Sequence, residues 1–170
     1  MGNVTSDIEI VPMTVSHVPE ASRIEKAVFP DPWSPTAFLE ILSLSDKNWI
    51  VRRSGRLVAY LLTQWVADEV HILNLAVAPR VQRQGIAARL LAFLVERAAH
   101  ENMQDMFLEV RASNVAARSL YERFGFRELA VRKRYYRDGE DAVVMHCPVK
   151  VAPTETGDAA EGETGHTREE

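Results

Sequence analysis

Apolar residues recur along this chain at two spacings, one typical of helices and the other of strands. From residue 86 to residue 100 they stand three or four positions apart, which places them on one face of a helix. Residues 19–29 and 114–124 show a similar spacing, and Gly125 is suited to end the second of these helices. Ser34-Pro35 predicts the start of another helix, because Ser is a good N-cap and Pro fits the first helical turn.

Seven other segments are rich in apolar residues and are bounded by turn residues, a pattern that predicts strands. They are residues 8–13, 49–53, 57–66, 70–77, 106–110, 126–136 and 142–149. Ser54-Gly55 and Asp138-Gly139 each separate two of these segments and predict hairpins. The resulting order, β-α-α-β-β-β-α-β-α-β-β, predicts an α/β fold in which a mixed sheet carries helices on both faces.

Composition divides the chain into a folded part and a tail. The 170 residues are 46% hydrophobic and 26% charged, which suits one globular domain. Residues 151–170 contain six acidic residues and one Arg, a net charge of −5, so residues 1–150 carry +1 of the total charge of −4. The tail has almost no large apolar residues to bury. We therefore expect a domain at residues 1–150 and a disordered acidic tail at residues 151–170.

Several classes of protein are disfavoured by what the sequence contains. No apolar run reaches about 18 residues, so no membrane span is expected. Cys147 is the only cysteine, which fits a cytoplasmic location, and no His or Cys spacing predicts a metal site. No basic block predicts a nucleic-acid partner.

The segment 73–88 is the best candidate for a binding loop. A predicted strand ends there, a short basic loop follows, and a helix begins near Gly85. The start of a helix offers unpaired N–H groups and partial positive charge to a phosphate, and Gly85 allows close approach to the backbone. A plain turn between strand and helix, decorated with surface arginines, explains the same residues equally well.

Gln82-x-x-Gly85-x-Ala87 after a strand resembles the acyl-CoA motif of the GNAT acetyltransferases, Arg/Gln-x-x-Gly-x-Gly/Ala. The resemblance covers essentially residues 8–149 and is similar in detail to the RimI-type ribosomal-protein-alanine N-acetyltransferases. The other matching segments are residues 29–38, 108–114, 120–122, 124–126, 134–136 and 141–142. Ala87 stands where many members of the family have Gly, so a small residue is kept.

The resemblance implies a GNAT fold, a mostly antiparallel sheet with one splayed parallel pair, and acetyl-CoA as the donor without a metal. It implies that Glu109 is the general base and Tyr121 the general acid. The backbone of 75–77 would pair with the pantetheine arm, 83–88 would wrap the pyrophosphate, and Asn114 would lie near the reactive end. The implied cofactor-binding residues are Leu75, Ala76, Val77, Arg83, Gln84, Gly85, Ile86, Ala87, Ala88 and Asn114.

The chemistry of these residue types agrees with such roles. A peptide α-amine has a pKa near ~7.7–8.0, so it needs a base before it can attack a thioester, and the apolar neighbours of Glu109 are expected to raise the pKa of its carboxyl. A tyrosine hydroxyl can supply a proton to the leaving thiolate. Without the resemblance, the better explanation of Glu109 is a strand carboxylate paired with Arg111 or another base, and that of Tyr121 is a core aromatic residue. Asn114 is chemically a good N-cap, a role that is compatible with contact to a ligand.

Aromatic residues predict the acceptor side of the site. By resemblance, the loop bearing Trp33 and the hairpin bearing Tyr135 and Tyr136 would face each other across a peptide groove. The alternative is that Trp33 packs onto the core and the two tyrosines stiffen a hairpin. A basic acceptor tail would require acidic residues near the groove, and the candidates are Asp31, Glu40, Glu69 and Glu140.

The expected function is direct acetyl transfer from acetyl-CoA to the N-terminal alanine of a small-subunit ribosomal protein, in the cytoplasm. Because Cys147 lies outside every motif, no acyl-enzyme is expected. Three alternatives stay open: a broader protein N-terminal or lysine acetyltransferase, a small-molecule amine acetyltransferase, and an acyl-CoA sensor without activity. No nucleic acid or membrane partner is expected.

Overall fold

The computed structural model describes residues 7–150, so the prediction for the tail at 151–170 lies outside the described residues. The sheet and its helices follow the predicted order. The elements are β1 Ile8–Pro12, α1 Val18–Val28, α2 Pro35–Leu44, β2 Trp49–Arg53, β3 Arg56–Val66, β4 Glu69–Val77, α3 Ile86–His100, β5 Asp105–Arg111, α4 Val115–Arg123, β6 Arg127–Arg132 and β7 Ala142–Pro148. Two short 3-10 helices, Val15–His17 and Pro79–Val81, join them.

All seven strands form one sheet in the order β1-β2-β3-β4-β5-β7-β6. Every neighbouring pair is antiparallel except β4 and β5, which run parallel on either side of the crossover through α3. The predicted mixed α/β sheet, mostly antiparallel with one parallel pair, is therefore confirmed.

One face of the sheet packs against α3 and α4. The five apolar residues whose spacing predicted α3 are buried there: Ile86, Leu90, Leu91, Leu94 and Ala98. At roughly 1.5–3 kcal/mol for each fully buried large side chain, this face alone anchors the helix on the sheet. α3 thereby fixes the position of the loop that precedes it.

The other face packs against α1 and α2, which build a second core around Phe38 and Tyr60. Ser34 caps α2 as predicted, since its hydroxyl oxygen accepts a hydrogen bond from the N–H of Ala37 at 3.2 Å. The loop between α1 and α2 is thus held at both ends by packed helices. It lies over the sheet beside β4.

The prediction that a strand continues from residue 126 to residue 136 is wrong at its end. β6 ends at Arg132, opposite Ala142. Beyond it, the N–H of Arg134 donates to the side-chain carboxylate of Asp141 at 2.9 Å instead of to a partner strand, and Arg134 adopts a φ of 50°. Residues 133–141 form a compact loop, which carries both tyrosines of the predicted hairpin.

Candidate active site

The site is created where β4 and β5 separate. The two strands pair only from Glu69 to Ile72 and from Asp105 to Leu108. After that, each strand continues for several residues without the other, so the sheet opens into a V. Backbone on the open side of β4 is available to a ligand lying in the gap. This splay was implied by the family resemblance.

A groove of about 510 Å³ lies on one side of this opening. Its walls are the end of β4, the loop before α3 and the side of α4. Nearly all the residues predicted to bind the cofactor line it, and those that do are Leu75, Ala76, Val77, Arg83, Gly85, Ile86, Ala87, Ala88 and Asn114. Gln84 does not line the groove and instead contacts Arg53.

The loop before α3 has the geometry of an anion site. Gly85 is the N-cap with a φ of 81°, and no side chain caps the N–H groups of the first turn. A Cβ built at Gly85 would meet no atom within 4 Å, so glycine is required there by the backbone conformation and not by crowding. Arg83 also has a positive φ, of 61°. Gln82 has a structural role, because its side-chain amide donates to the carbonyl of Val77 at 3.0 Å and ties the loop to β4.

A second, smaller cavity of about 150 Å³ lies on the other side of the opening, between the α1–α2 loop and β5. It contains Glu109, and aromatic side chains enclose it. The residues that line both this cavity and the groove are Phe29, Leu75, Asn114, Ala117 and Tyr121. A donor in the groove and an acceptor in the cavity would therefore meet beside Tyr121 and Asn114.

Glu109 lies on β5 with its side chain 28% exposed. Its carboxylate forms an ion pair with Nε of Arg132 at 2.9 Å. Arg111, the partner considered from sequence, instead binds Asp138 at 2.8 Å and Glu140 at 3.0 Å. The carboxylate is thus both paired with a base and placed in the acceptor cavity. It is not enclosed by apolar side chains alone, as its position in the strand had suggested.

Tyr121 is 8% exposed and packs edge-on against Phe126, with ring centroids 5.8 Å apart. It is therefore a core aromatic residue and a residue of the site at once. Burial, reinforced by Tyr136, raises the pKa of its phenol above the ordinary value of 10.0. The hydroxyl consequently stays protonated at any physiological pH and can serve only as a proton donor.

Asn114 is the N-cap of α4, because its side-chain oxygen accepts from the N–H of Ala117 at 3.1 Å. The cap uses the oxygen of the amide, which leaves the NH₂ group as the side-chain donor toward the two cavities that Asn114 lines. Asn114 and Tyr121 stand at the two ends of the same helix face, as predicted.

Two of the three aromatic residues expected on the acceptor side line the small cavity, namely Trp33 and Tyr136. Trp33 also packs against Phe38 at 6.1 Å between centroids, so the packing alternative holds as well. Tyr135 does not line the cavity but lies beside Glu109, and this carboxylate together with burial raises the pKa of Tyr135. Burial raises the pKa of Tyr136 to about 12.

Of the acidic residues considered for the acceptor groove, Asp31 lines the cavity and the other three do not. The sequence analysis missed Glu25, which lies on the buried face of α1 and also lines the cavity. The sequence could have indicated this residue. Glu25 lies four positions after Ala21 and three after Ser22, so it shares the helix face that α1 buries.

Cys147 is buried and lines neither cavity, and burial raises the pKa of its thiol. Within the described part of the chain, no three or more His, Cys, Asp or Glu residues are grouped as a metal ion requires. Over the same residues, none of the helices combines the length and apolar character of a membrane span.

Comparison with known proteins decides the family. The sequence model of the Acetyltransferase (GNAT) family matches residues 18–126, which include the V-shaped opening, the groove and all the residues named in the acceptor cavity except Tyr136. The chain belongs to the GNAT acetyltransferase family. It is accordingly an acetyl-CoA-dependent N-acetyltransferase.

Individual relatives agree with this assignment. The chain is 37% identical over 142 residues to the ribosomal protein bS18-alanine N-acetyltransferase of Escherichia coli K12, covering 82% of this chain and 96% of the relative. The crystal structure of the ribosomal-protein-S18-alanine N-acetyltransferase from Escherichia coli matches with a TM-score of 0.78 and 36% identity, over 87% of this chain and 97% of that one. Ard1 from Thermoplasma volcanium, at 23% identity and a TM-score of 0.82, shares the fold over 85% of this chain and 99% of its own.

Proposed function

We propose that this GNAT acetyltransferase acetylates the N-terminal alanine α-amine of a small-subunit ribosomal protein. The observation that carries the proposal is that a donor groove and an acceptor cavity adjoin each other and share Tyr121 and Asn114 as lining residues, with Glu109 on the acceptor side. The names of relatives at 34–37% identity supply the acceptor, since they act on the alanine of ribosomal protein bS18.

Acetyl-CoA would bind with its pyrophosphate at the first turn of α3, where Gly85 and Arg83 line the groove. The pantetheine arm would follow the open side of β4 beside Leu75, Ala76 and Val77. This places the thioester at the junction of the two cavities, within reach of the Asn114 amide. The V-shaped opening accepts the arm because β5 has already turned away.

Glu109 would take a proton from the α-ammonium group, directly or through a water molecule. The neutral amine then attacks the thioester carbonyl and forms a tetrahedral intermediate. When the intermediate collapses, the C–S bond breaks and the phenol of Tyr121 gives its proton to the thiolate of CoA. Burial raises the pKa of this phenol, so the proton is still present when the thiolate leaves. The second proton of the attacking nitrogen then returns to the phenolate, directly or through water, which leaves the neutral amide and restores Tyr121.

Transfer would be direct, within a ternary complex. An acetyl-enzyme would need a nucleophilic thiolate beside the thioester, and Cys147 lines neither cavity while burial raises the pKa of its thiol. The acceptor cavity of about 150 Å³, walled by Trp33 and Tyr136, suits an amine that carries a small first side chain such as that of alanine.

A peptide panel tests this function. The full chain is incubated with acetyl-CoA and with the alanine-first tail of a ribosomal protein, the same tail beginning with leucine, and a lysine-containing peptide with a blocked N-terminus. Mass spectrometry with fragmentation locates the acetyl group on the α- or the ε-amine. We expect the alanine-first tail to be preferred by at least about tenfold in kcat/KM.

The alternatives give different results in the same assay. Equal turnover of all the peptides identifies a broader protein acetyltransferase. Turnover of polyamines or amino acids without turnover of peptides identifies a small-molecule enzyme. Either result contradicts the proposed acceptor and leaves the acetyl-CoA-dependent activity in place.

A further inference from the structure

The side chain of Glu25, on α1, is 1% exposed and is surrounded by hydrogen-bond donors. One carboxylate oxygen accepts from the hydroxyl of Tyr60 and from the side-chain amide of Asn74 at 2.8 Å. The other accepts from the backbone N–H of Trp33 at 3.0 Å. Three donors converging on two oxygens suit an ionised carboxylate, which only accepts hydrogen bonds. All three donors are uncharged.

Asn74 reaches Glu25 because β4 contains an irregularity. The register of β3 against β4 passes from Asn74 to Ile72, so Leu73 is an extra residue and the alternation of side chains shifts there. Asn74 consequently faces α1 just where β4 separates from β5. The buried carboxylate therefore lies near the point where β4 and β5 separate, among the residues that line the acceptor cavity.

Glu25 differs from the other carboxylates of this cavity in having no cation beside it. Glu109 is paired with Arg132 at 2.9 Å, and Asp31 lies 3.8 Å from Arg137. Among the residues that the structure describes, Glu25 forms no such ion pair, and its partners are the three neutral donors. A buried charge without a counter-charge is costly, and the hydrogen bonds offset that cost only in part.

The amine of the acceptor peptide can supply the positive charge that Glu25 lacks. A peptide α-amine, with a pKa near ~7.7–8.0, is mostly an ammonium group at neutral pH. We propose that Glu25 is the buried counter-charge that draws the acceptor's α-ammonium group into the small cavity before Glu109 takes its proton. This rests on the proposed function, because it assumes that an α-amine is the group to be acetylated.

The two carboxylates then have separate tasks. Glu25 is buried and both of its oxygens accept hydrogen bonds from fixed donors, so we assign to it the attraction of the charged amine and not the proton transfer. Burial and the adjacent carboxylate raise the pKa of Tyr60, which keeps that phenol a donor. Glu109 is partly exposed and able to pass the proton on to water. Glu25 should therefore act mainly on KM for the peptide, and Glu109 on kcat.

A purely structural role is the competing explanation, because Glu25 also ties the α1–α2 loop to the sheet through Trp33. Glu25→Gln separates the two roles. The amide oxygen of glutamine can keep the bond from the N–H of Trp33, while its NH₂ group donates to the Tyr60 oxygen and to the flipped amide of Asn74. The variant thus keeps the tether and loses the charge. Tyr60→Phe is the matched control, since it removes one donor and keeps the charge.

Steady-state kinetics of the full chain give the first measurement. For an alanine-first peptide we expect Glu25→Gln to raise KM about tenfold, with kcat and KM for acetyl-CoA each within about twofold of wild type. The wild-type KM should rise with salt more steeply than that of the variant, because salt screens the charge. Tyr60→Phe should change KM for the peptide by less than about threefold.

Binding of two peptides to the CoA-loaded protein gives the decisive measurement. The free-amine peptide should bind Glu25→Gln about tenfold more weakly than wild type, whereas its N-acetylated form, which has no charge, should bind both proteins equally. Equal weakening of both peptides would show that Glu25 is only a tether. No weakening of either would show that its charge is not used. Both results overturn the proposal.

Two further controls keep the test independent of folding and of the acceptor. If Glu25→Gln does not fold, wild type alone is compared on the free-amine peptide and its des-amino analogue, and equal affinities overturn the proposal. Loss of alanine preference in the peptide panel would contradict the proposed acceptor, but the charge dependence of binding would still be measurable with any α-amine peptide.

Discussion

The proton donor of this site is tested most directly by Tyr121→Phe, which removes a single oxygen atom. The ring keeps its edge-on contact with Phe126 and its place in the wall between the two cavities. We therefore expect the free energy of unfolding to change by less than about 1 kcal/mol. Acetyl-CoA should bind with an affinity within about twofold of wild type.

The expected loss is in kcat. Tyr121 is 8% exposed, so bulk water does not replace the missing hydroxyl, and the thiolate must leave without a proton. General acid catalysis contributes about 10²–10⁴-fold, so we expect kcat to fall by at least about 10²-fold. At 1.36 kcal/mol for each factor of ten, this is a barrier increase of about 2.7 kcal/mol.

The assay is release of CoA, followed with a thiol reagent from pH 6 to pH 9.5, with mass detection of the acetylated peptide. Burial raises the pKa of the phenol above 10, so the donor is fully protonated throughout this range and is lost only at higher pH. The ratio of wild-type to variant kcat should therefore be constant across the range. A kcat within threefold of wild type, or a ratio that falls between pH 7 and pH 9, would refute the role of Tyr121.

Substitutions at three other positions test the rest of the site. Glu109→Gln should lower kcat by about 10²-fold without changing the affinity for acetyl-CoA, and thermal melting near the wild-type temperature excludes misfolding as the reason. Asn114→Ala should cost about 1 kcal/mol through loss of the cap, whereas Asn114→Ser should restore the stability but not KM for acetyl-CoA, since a hydroxyl replaces the amide. Gly85→Ala should lower Tm by about 3–6 °C, because a left-handed φ of 81° costs alanine about 1–2 kcal/mol, and should weaken acetyl-CoA binding. An unchanged Tm for Gly85→Ala would show that the loop relaxes without strain.

Local signals in the sequence predicted most of the secondary structure. The spacing of apolar residues located α3 to the residue, because a helix that packs on a sheet must place its apolar side chains on one side. Ser34 marked the start of α2 and Gly125 the end of α4 for equally local reasons, a side-chain cap and a left-handed φ of 94°. The local pattern wrongly predicted a strand at residues 133–136, because the contacts that Asp141 makes across the loop end the strand.

The residues of the candidate site were identified from sequence mainly through the family resemblance, and the structure decided how they are arranged. Glu109 proved to be paired with Arg132, and Tyr135 proved to lie beside Glu109 without lining the cavity itself. These partners lie more than twenty positions apart in the chain, so no local pattern specifies them. They follow from the pairing of β5 with β7 and of β7 with β6.

The sequence by itself determined the helices, the strands apart from the end of β6, the order of these elements and the loop before α3, because each depends on residues that are neighbours along the chain. Only the tertiary structure decided where β4 and β5 part, which residues line both cavities, and that the carboxylate of Glu25 lies buried beside the acceptor cavity. These features depend on where the sheet register shifts and on which distant side chains meet. Their energies arise from burial and charge in the folded chain, which the sequence pattern does not display.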